Sequence, residues 1–151
     1  MGAIPKNGHR DSDQSVERLR KAGLRVTAPR LAILRALEAD RTHPTAEKLL
    51  LSLRREQPSL SLSTVYNTLE SFIRAGLCER VNSDGIFRVD GALGADHDHA
   101  FCRRCGQVFD VDRRQLPPVE FPSRLPRGLM VRRVRIEYEV VCAECRGALG
   151  A

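Results

Sequence analysis

Two Cys-x-x-Cys pairs, Cys102/Cys105 and Cys142/Cys145, stand in the last third of this 151-residue chain. Each pair sets two sulfurs on one turn of backbone, and the 36 residues between the pairs suffice to bring the chain back through a strand. Four thiolates on two such knuckles are what a closed tetrahedral zinc site requires. Gly106, directly after the first pair, admits the positive φ that a knuckle often needs. A four-sulfur site has no open position, so its metal stabilises the fold and does not catalyse. The plainer alternatives are a redox pair or buried apolar cysteines. Cys78 stands alone and reads as a packed core thiol.

The rest of the composition bounds the class. A hydrophobic content of 42% supports a folded core. No apolar run approaches the ~20 residues of a membrane span, and Met1 to Ser15 lacks the apolar centre of a signal peptide. The expectation is a cytoplasmic protein with no membrane partner, whose reduced thiols serve metal and not disulfides. The net charge is +6 with a pI near 9.5. Residues 1–90 hold 15 Lys/Arg against 11 Asp/Glu, and residues 91–151 hold 10 against 8, so the excess lies mostly in the first part. That suits an anionic partner, although a generic solubilising surface gives the same sum.

Along the chain, residues 1–11 read as a disordered arm. A short helix is predicted over Asp13–Ala22 with Gly23 as its stop. Thr27, followed by Ala28-Pro29, caps a second helix with Leu31, Ile33, Leu34 and Leu37 on its apolar face. Thr45 caps a third, with Ala46, Leu49, Leu50 and Leu53 inward. A fourth runs from Ser63 to Ala75, with Val65, Leu69 and Phe72 on one side and Gly76 as its stop. Leu77–Val81 and Ile86–Val89 alternate and flank Asp84-Gly85, a hairpin signature. Helices followed by a hairpin describe a winged helix-turn-helix. Gly91 to Ala95 reads as a linker, dividing the chain into 1–90 and 91–151. Beyond it, strands are predicted at His99–Cys102, Gln107–Val111 and Met130–Val141. Pro117, Pro118, Pro122 and Pro126 oppose a long helix between them. The fold class is α+β.

Ser63, Thr64, Tyr66 and Asn67 open the fourth helix, the end that enters a major groove in this architecture. Hydroxyls and a phenol suit phosphates, and Asn67 suits an adenine edge. Arg25 and Arg30 flank the second helix start and suit the phosphate backbone. An ordinary helix with a polar N-terminus is the bland reading, which the hairpin, charge and helix order outweigh. Three of the four histidines form a second set. His97 and His99 alternate along a strand and share a face, His43 precedes the third helix, and Asp110 follows the first knuckle. Imidazoles with a carboxylate suit iron(II), manganese(II) or zinc. An ion held by both halves of the chain would switch DNA affinity by fixing them together. Surface histidines without metal are the alternative.

The segments Ala22-Gly-Leu-Arg-Val-Thr-Ala-Pro-Arg30, His43-Pro-Thr-Ala-Glu47, Ser63-Thr-Val-Tyr-Asn-Thr-Leu69, Ala75-Gly-Leu77 and His97-Asp-His-Ala-Phe-Cys-Arg-Arg-Cys-Gly106 resemble the ferric uptake regulator (Fur) family of bacterial metalloregulators. The likeness runs from about Arg18 to Cys145. It implies a homodimeric repressor of metal-homeostasis or oxidative-stress genes, with an N-terminal winged helix and a small C-terminal α/β dimerisation domain, bound to double-stranded operator DNA. It implies structural Zn2+ on Cys102, Cys105, Cys142 and Cys145. It also implies regulatory Mn2+ or Fe2+ on His43, His97, His99 and an acidic residue from the end of the wing, with Tyr66 and Arg25 on DNA. Asp110 matches an aspartate of the peroxide-responsive branch, where iron drives oxidation of a liganding histidine, here His43 or His97. This chain departs from the pattern in places. Arg88 stands where the family often has its acidic wing ligand, and Asp90 is the nearest substitute. Val134 and Asp96 replace histidines of an additional site, and the proline stretch replaces much of a helix. Competing readings are a zinc-uptake regulator of the same family, a zinc-dependent hydrolase built on His97, His99 and Asp110, and a zinc-ribbon module without DNA binding.

Overall fold

A computed structural model of the chain describes residues 8–83, 85–91, 97–132 and 134–147. It divides into two compact units, Met1–Leu93 and Gly94–Ala151. Residues 1–7 of the expected arm, and residues 92–95 of the expected linker, lie outside the described residues.

The N-terminal unit holds α1 (Gly8–Lys21), α2 (Ala28–Ala39), α3 (Ala46–Leu53), α4 (Leu62–Arg74), β1 (Glu79–Ser83) and β2 (Ile86–Asp90). Local chemistry sets the ends. Thr27 and Thr45 accept hydrogen bonds from the N–H groups of Arg30 and Lys48, and Pro29 sits in the first turn of α2. α1 and α4 close alike. Gly23 (φ 70) and Gly76 (φ 69) donate to Arg20 and Ile73, and Leu24 and Leu77 donate to Leu19 and Phe72, which is the Schellman pattern. Two expected starts are corrected. α4 begins at Leu62 with Ser61 as its cap. α1 begins at Gly8, so residues 8–11 of the predicted arm are helical. Its polar first turns carry no apolar period to announce them.

The core of this unit is one cluster drawn from every element except β1: Leu19, Ile33, Leu34, Leu37, Leu49, Val65, Leu69, Phe72 and Val89 are all essentially inaccessible. β1 and β2 pair antiparallel from Glu79↔Asp90 to Ser83↔Ile86. Two residues therefore link them, and Gly85 takes φ 76, as a tight hairpin turn requires. The strands run two residues later than predicted at the first and one residue longer at the second. Helices and hairpin together form the winged helix.

The C-terminal unit holds β3 (His97–Cys102), β4 (Val108–Asp112), β5 (Arg124–Leu125), β6 (Leu129–Met130), β7 (Glu137–Val140) and α5 (Ala143–Gly147). Its main sheet has the order β4-β3-β7, with β4 antiparallel and β7 parallel to β3. The predicted strand over Met130–Val141 is not continuous. β6 pairs with β5, and β7 pairs with β3 only from His99↔Glu137 to Cys102↔Val140. A strand persists only where a neighbour satisfies its N–H and C=O groups, and β6 and β7 each end where the pairing with β5 and with β3 ends. No long helix forms over the proline stretch, which one-turn 3-10 segments flank, Arg113–Gln115 before it and Pro126–Gly128 at its end. The buried apolar set is small here, comprising Ala100, Cys102 and Val108 among the described residues.

Leu69→Ala should destabilise the N-terminal unit by about 2–5 kcal/mol, through lost burial and a cavity. Leu51→Ala, at a side chain 72% exposed, should stay within about 0.5 kcal/mol. Urea unfolding midpoints at unchanged slope check both.

Candidate metal centres and nucleic-acid interface

Cys102 ends β3 and Cys142 follows β7, two strands that run parallel and adjacent. The knuckle after Cys102 is closed by Gly106 N–H donating to the Cys102 carbonyl at 2.8 Å, with Gly106 at φ 68. Cys145 lies in α5, whose turn Arg146 N–H closes onto the Cys142 carbonyl. The four Sγ atoms all lie within 4.8 Å of one another. Zinc–sulfur bonds of about 2.3 Å at tetrahedral angles put sulfurs about 3.8 Å apart, and Cys105 and Cys142 stand at 3.8 Å. The backbone N–H of Cys142 points at Cys102 Sγ from 3.4 Å. That donor leads those that lower the Cys102 thiol to about 6. The Cys142 side chain, ahead of burial, pushes Cys145 up to about 12. Four clustered thiols cannot all ionise by themselves, and a divalent ion is what makes four thiolates stable together. The donor set fits structural zinc.

On β3 the side chains alternate. His97 and His99 share one face, their rings 4.9 Å apart and edge to face. Asp110 lies opposite His99 on β4. Its Oδ1 is 3.6 Å from His97 Nε2 and 3.9 Å from His99 Nε2. Bonds of about 2.0–2.2 Å to an ion span such gaps. Asp112, opposite His97 on the same face, is committed elsewhere. Arg114 donates to both of its oxygens and holds its carboxyl down at about 2. Asp98 takes the other face of β3, 3% exposed, where Arg113 Nε donates to it at 2.8 Å. This pair, 15 residues apart, left no mark in the sequence pattern.

His43 and Asp90 belong to the N-terminal unit. Asp90 ends β2 opposite Glu79 and is 8% exposed. Together with burial, the leading cause, it pushes the Cys78 thiol up to about 12. His43 is buried and has φ 53. Left-handed backbone costs a side-chain-bearing residue on the order of 1–2 kcal/mol, and the following Pro44 disfavours it further. Arg88 Nη1 donates to the His43 carbonyl at 3.3 Å, and hydrogen bonds to charged groups are worth about 1.5–3 kcal/mol. The arginine that replaces an expected acidic ligand thus holds the backbone of a histidine.

On α4, Ser63 and Thr64 hydroxyls cluster on the Ser61 cap at 2.9 and 2.8 Å, and both are exposed, as is Asn67. Tyr66 donates its phenol to Glu47 Oε1 at 2.8 Å, which fixes where its hydroxyl sits and raises its pKa. Glu47, on α3, is a partner that the sequence reading missed. Tyr66 also packs on Phe87 of β2, ring centroids 5.6 Å apart, and Arg80 lies 4.6 Å over the same Phe87 ring. The wing is thereby braced on α4. Arg30 Nη1 donates to the Arg25 carbonyl at 3.2 Å, and the Arg25 side chain is exposed.

The chain matches the Ferric uptake regulator family over residues 21–138. The peroxide-responsive repressor PerR of Staphylococcus aureus (strain Mu50) is 34% identical over 135 residues, which cover 89% of this chain and 90% of that protein. The structure of the ferric uptake regulator from Pseudomonas aeruginosa with manganese is 32% identical with a TM-score of 0.66, and covers 85% of this chain and 98% of that one. The ferric uptake regulator of Vibrio cholerae is 26% identical with a TM-score of 0.63, covering 83% and 98%. With one family's sequence pattern running through the winged helix and on to Tyr138 of the sheet that carries the zinc cysteines, the chain belongs to the ferric uptake regulator family, whose members are transcriptional regulators and not enzymes.

Proposed function

We propose that the chain is a cytoplasmic, homodimeric repressor that grips double-stranded operator DNA when a regulatory Mn2+ or Fe2+ is bound. The observation that carries this reading is the convergence of His97, His99 and Asp110 on one face of the β3–β4 pair. His43, on its constrained turn, is the fourth ligand of the proposal, and Asp90 a candidate fifth. When bound, the ion supplies the positive charge that holds these donors together; as Fe2+ it also supplies an electron source for peroxide.

The protein's own residues do the rest. α4 enters the major groove, where Tyr66, Ser63 and Thr64 meet phosphates and Asn67 reads a base edge, while Arg25 and Arg30 grip the backbone. Two copies pair through the C-terminal unit. Val119, Phe121, Leu125, Leu129 and Met130 are all exposed there, and so many large apolar side chains in one short segment suit a partner surface. The zinc-uptake alternative is less well supported. It wants a cysteine in the regulatory set, and Cys78, the one cysteine outside the zinc cluster, is buried with its thiol held at about 12.

Three outcomes test this. His97→Ala should lose manganese-stimulated binding to a duplex selected from random sequence, yet keep its zinc and its cooperative melt; an unfolded variant would reverse the two metal roles. Cys102→Ser should lose zinc by elemental analysis and, with it, the folding of the C-terminal unit. Arg25→Ala should weaken binding to all sequences alike and lower the slope of log affinity against log salt by about one.

A further inference from the structure

His43 is one of two non-glycine residues with positive φ among those described. The other, Arg127, sits in an exposed 3-10 turn. His43 is buried, and it precedes a proline that pushes its neighbour toward extended backbone. Such a conformation persists only where its surroundings over-determine it, and the surroundings here can be named. Arg88 Nη1 donates to the His43 carbonyl at 3.3 Å, Val89 N–H donates to the Pro44 carbonyl at 3.2 Å, and Thr45 forms a β-bridge with Arg88. Three consecutive residues are therefore tied to β2. On the other flank, Asp40 Oδ1 accepts from the Thr42 N–H at 2.7 Å and from its hydroxyl at 2.6 Å. Lys48 bonds the same hydroxyl and pairs with Asp40 at 3.4 Å.

We propose that Arg88 is a positioning residue for the regulatory metal. Its guanidinium holds the left-handed turn that sets the direction of the His43 imidazole, so a cation in the wing tunes metal affinity without touching metal. The inference rests on His43 being a ligand, as proposed above. A turn fixed before the ion arrives spares the ion the ordering of that ligand, which is how groups behind the ligands of a metal site raise its affinity. Arg88 sits two residues before Asp90 and next to Phe87, which packs on Tyr66, so the same residue anchors the wing that braces the recognition helix.

The test uses the zinc-loaded full chain and measures Mn2+ affinity from the electron paramagnetic resonance of free aqueous Mn2+. Arg88→Gln should weaken Mn2+ by about tenfold or more, with zinc content and melting temperature close to those of the parent. Arg88→Lys, which keeps the charge and one donor, should recover part of the loss. In a His43→Ala background, Arg88→Gln should cost nothing further, because the two residues act through one ligand. Parental affinity in Arg88→Gln, or an equal loss with and without His43, overturns the inference. Should Arg88→Gln fail to fold, Arg88→Lys is read on the same cycle, and equal loss in both backgrounds again overturns it. Parental affinity in His43→Ala alone instead removes the ligand reading on which the inference stands.

Discussion

Four sulfurs closing on one point are the constraint on which the C-terminal unit depends. Its buried apolar set is Ala100, Cys102 and Val108 among the described residues, and so small a core does not hold a unit of that size unaided. One of the three, Cys102, itself belongs to the four-sulfur cluster. The cluster fastens the ends of two parallel strands, β3 and β7, that hairpin turns cannot join. Hydrogen bonds reinforce the same corner, with Arg103 N–H on the Val140 carbonyl and Arg104 on the Cys145 carbonyl. Because β3 also presents His97 and His99, the structural ion sets the frame in which the second donor set sits.

The N-terminal unit is built differently. Its core is continuous and apolar, and its helices are capped and stopped by local chemistry. Its polar contacts include the α1–α2 pairing of Ser15 and Arg18 with Glu38, the turn before α3 and the wing. Backbone strain at His43 is offset there by Arg88, and the Tyr66 phenol is held by Glu47. The two units thus differ in what holds them, one gathering its helices and wing on an apolar core and the other carrying the His97–His99 face beside a four-sulfur cluster.

Much of this was legible in the residues. Thr27, Thr45, Gly23 and Gly76 marked helix ends because capping and positive φ are local demands, and the paired cysteines marked a four-sulfur cluster because ligand spacing within each pair is local too. What escaped was non-local. Nothing near Asp98 announces Arg113, and nothing near His43 announces Arg88, 45 positions later. The strand predicted over Met130–Val141 alternates in exposure across Glu137–Val140, and alternation cannot say how far its neighbour extends. Ser61 took the capping role two residues before the predicted start, since several hydroxyls in a row compete for it.

β3 has a consequence for how such a chain can vary. Its odd members from His97 to Phe101 face one way, and Asp98, Ala100 and Cys102 the other. Exchange of one side chain there leaves the remainder where it was. Gain or loss of a single codon would turn over everything downstream, moving a sulfur donor to the imidazole side and stranding a carboxylate from its guanidinium. Drift in this stretch is therefore open to substitution and closed to odd-numbered changes of length, so gene length polymorphism should be purged there while it persists in the proline-rich segment.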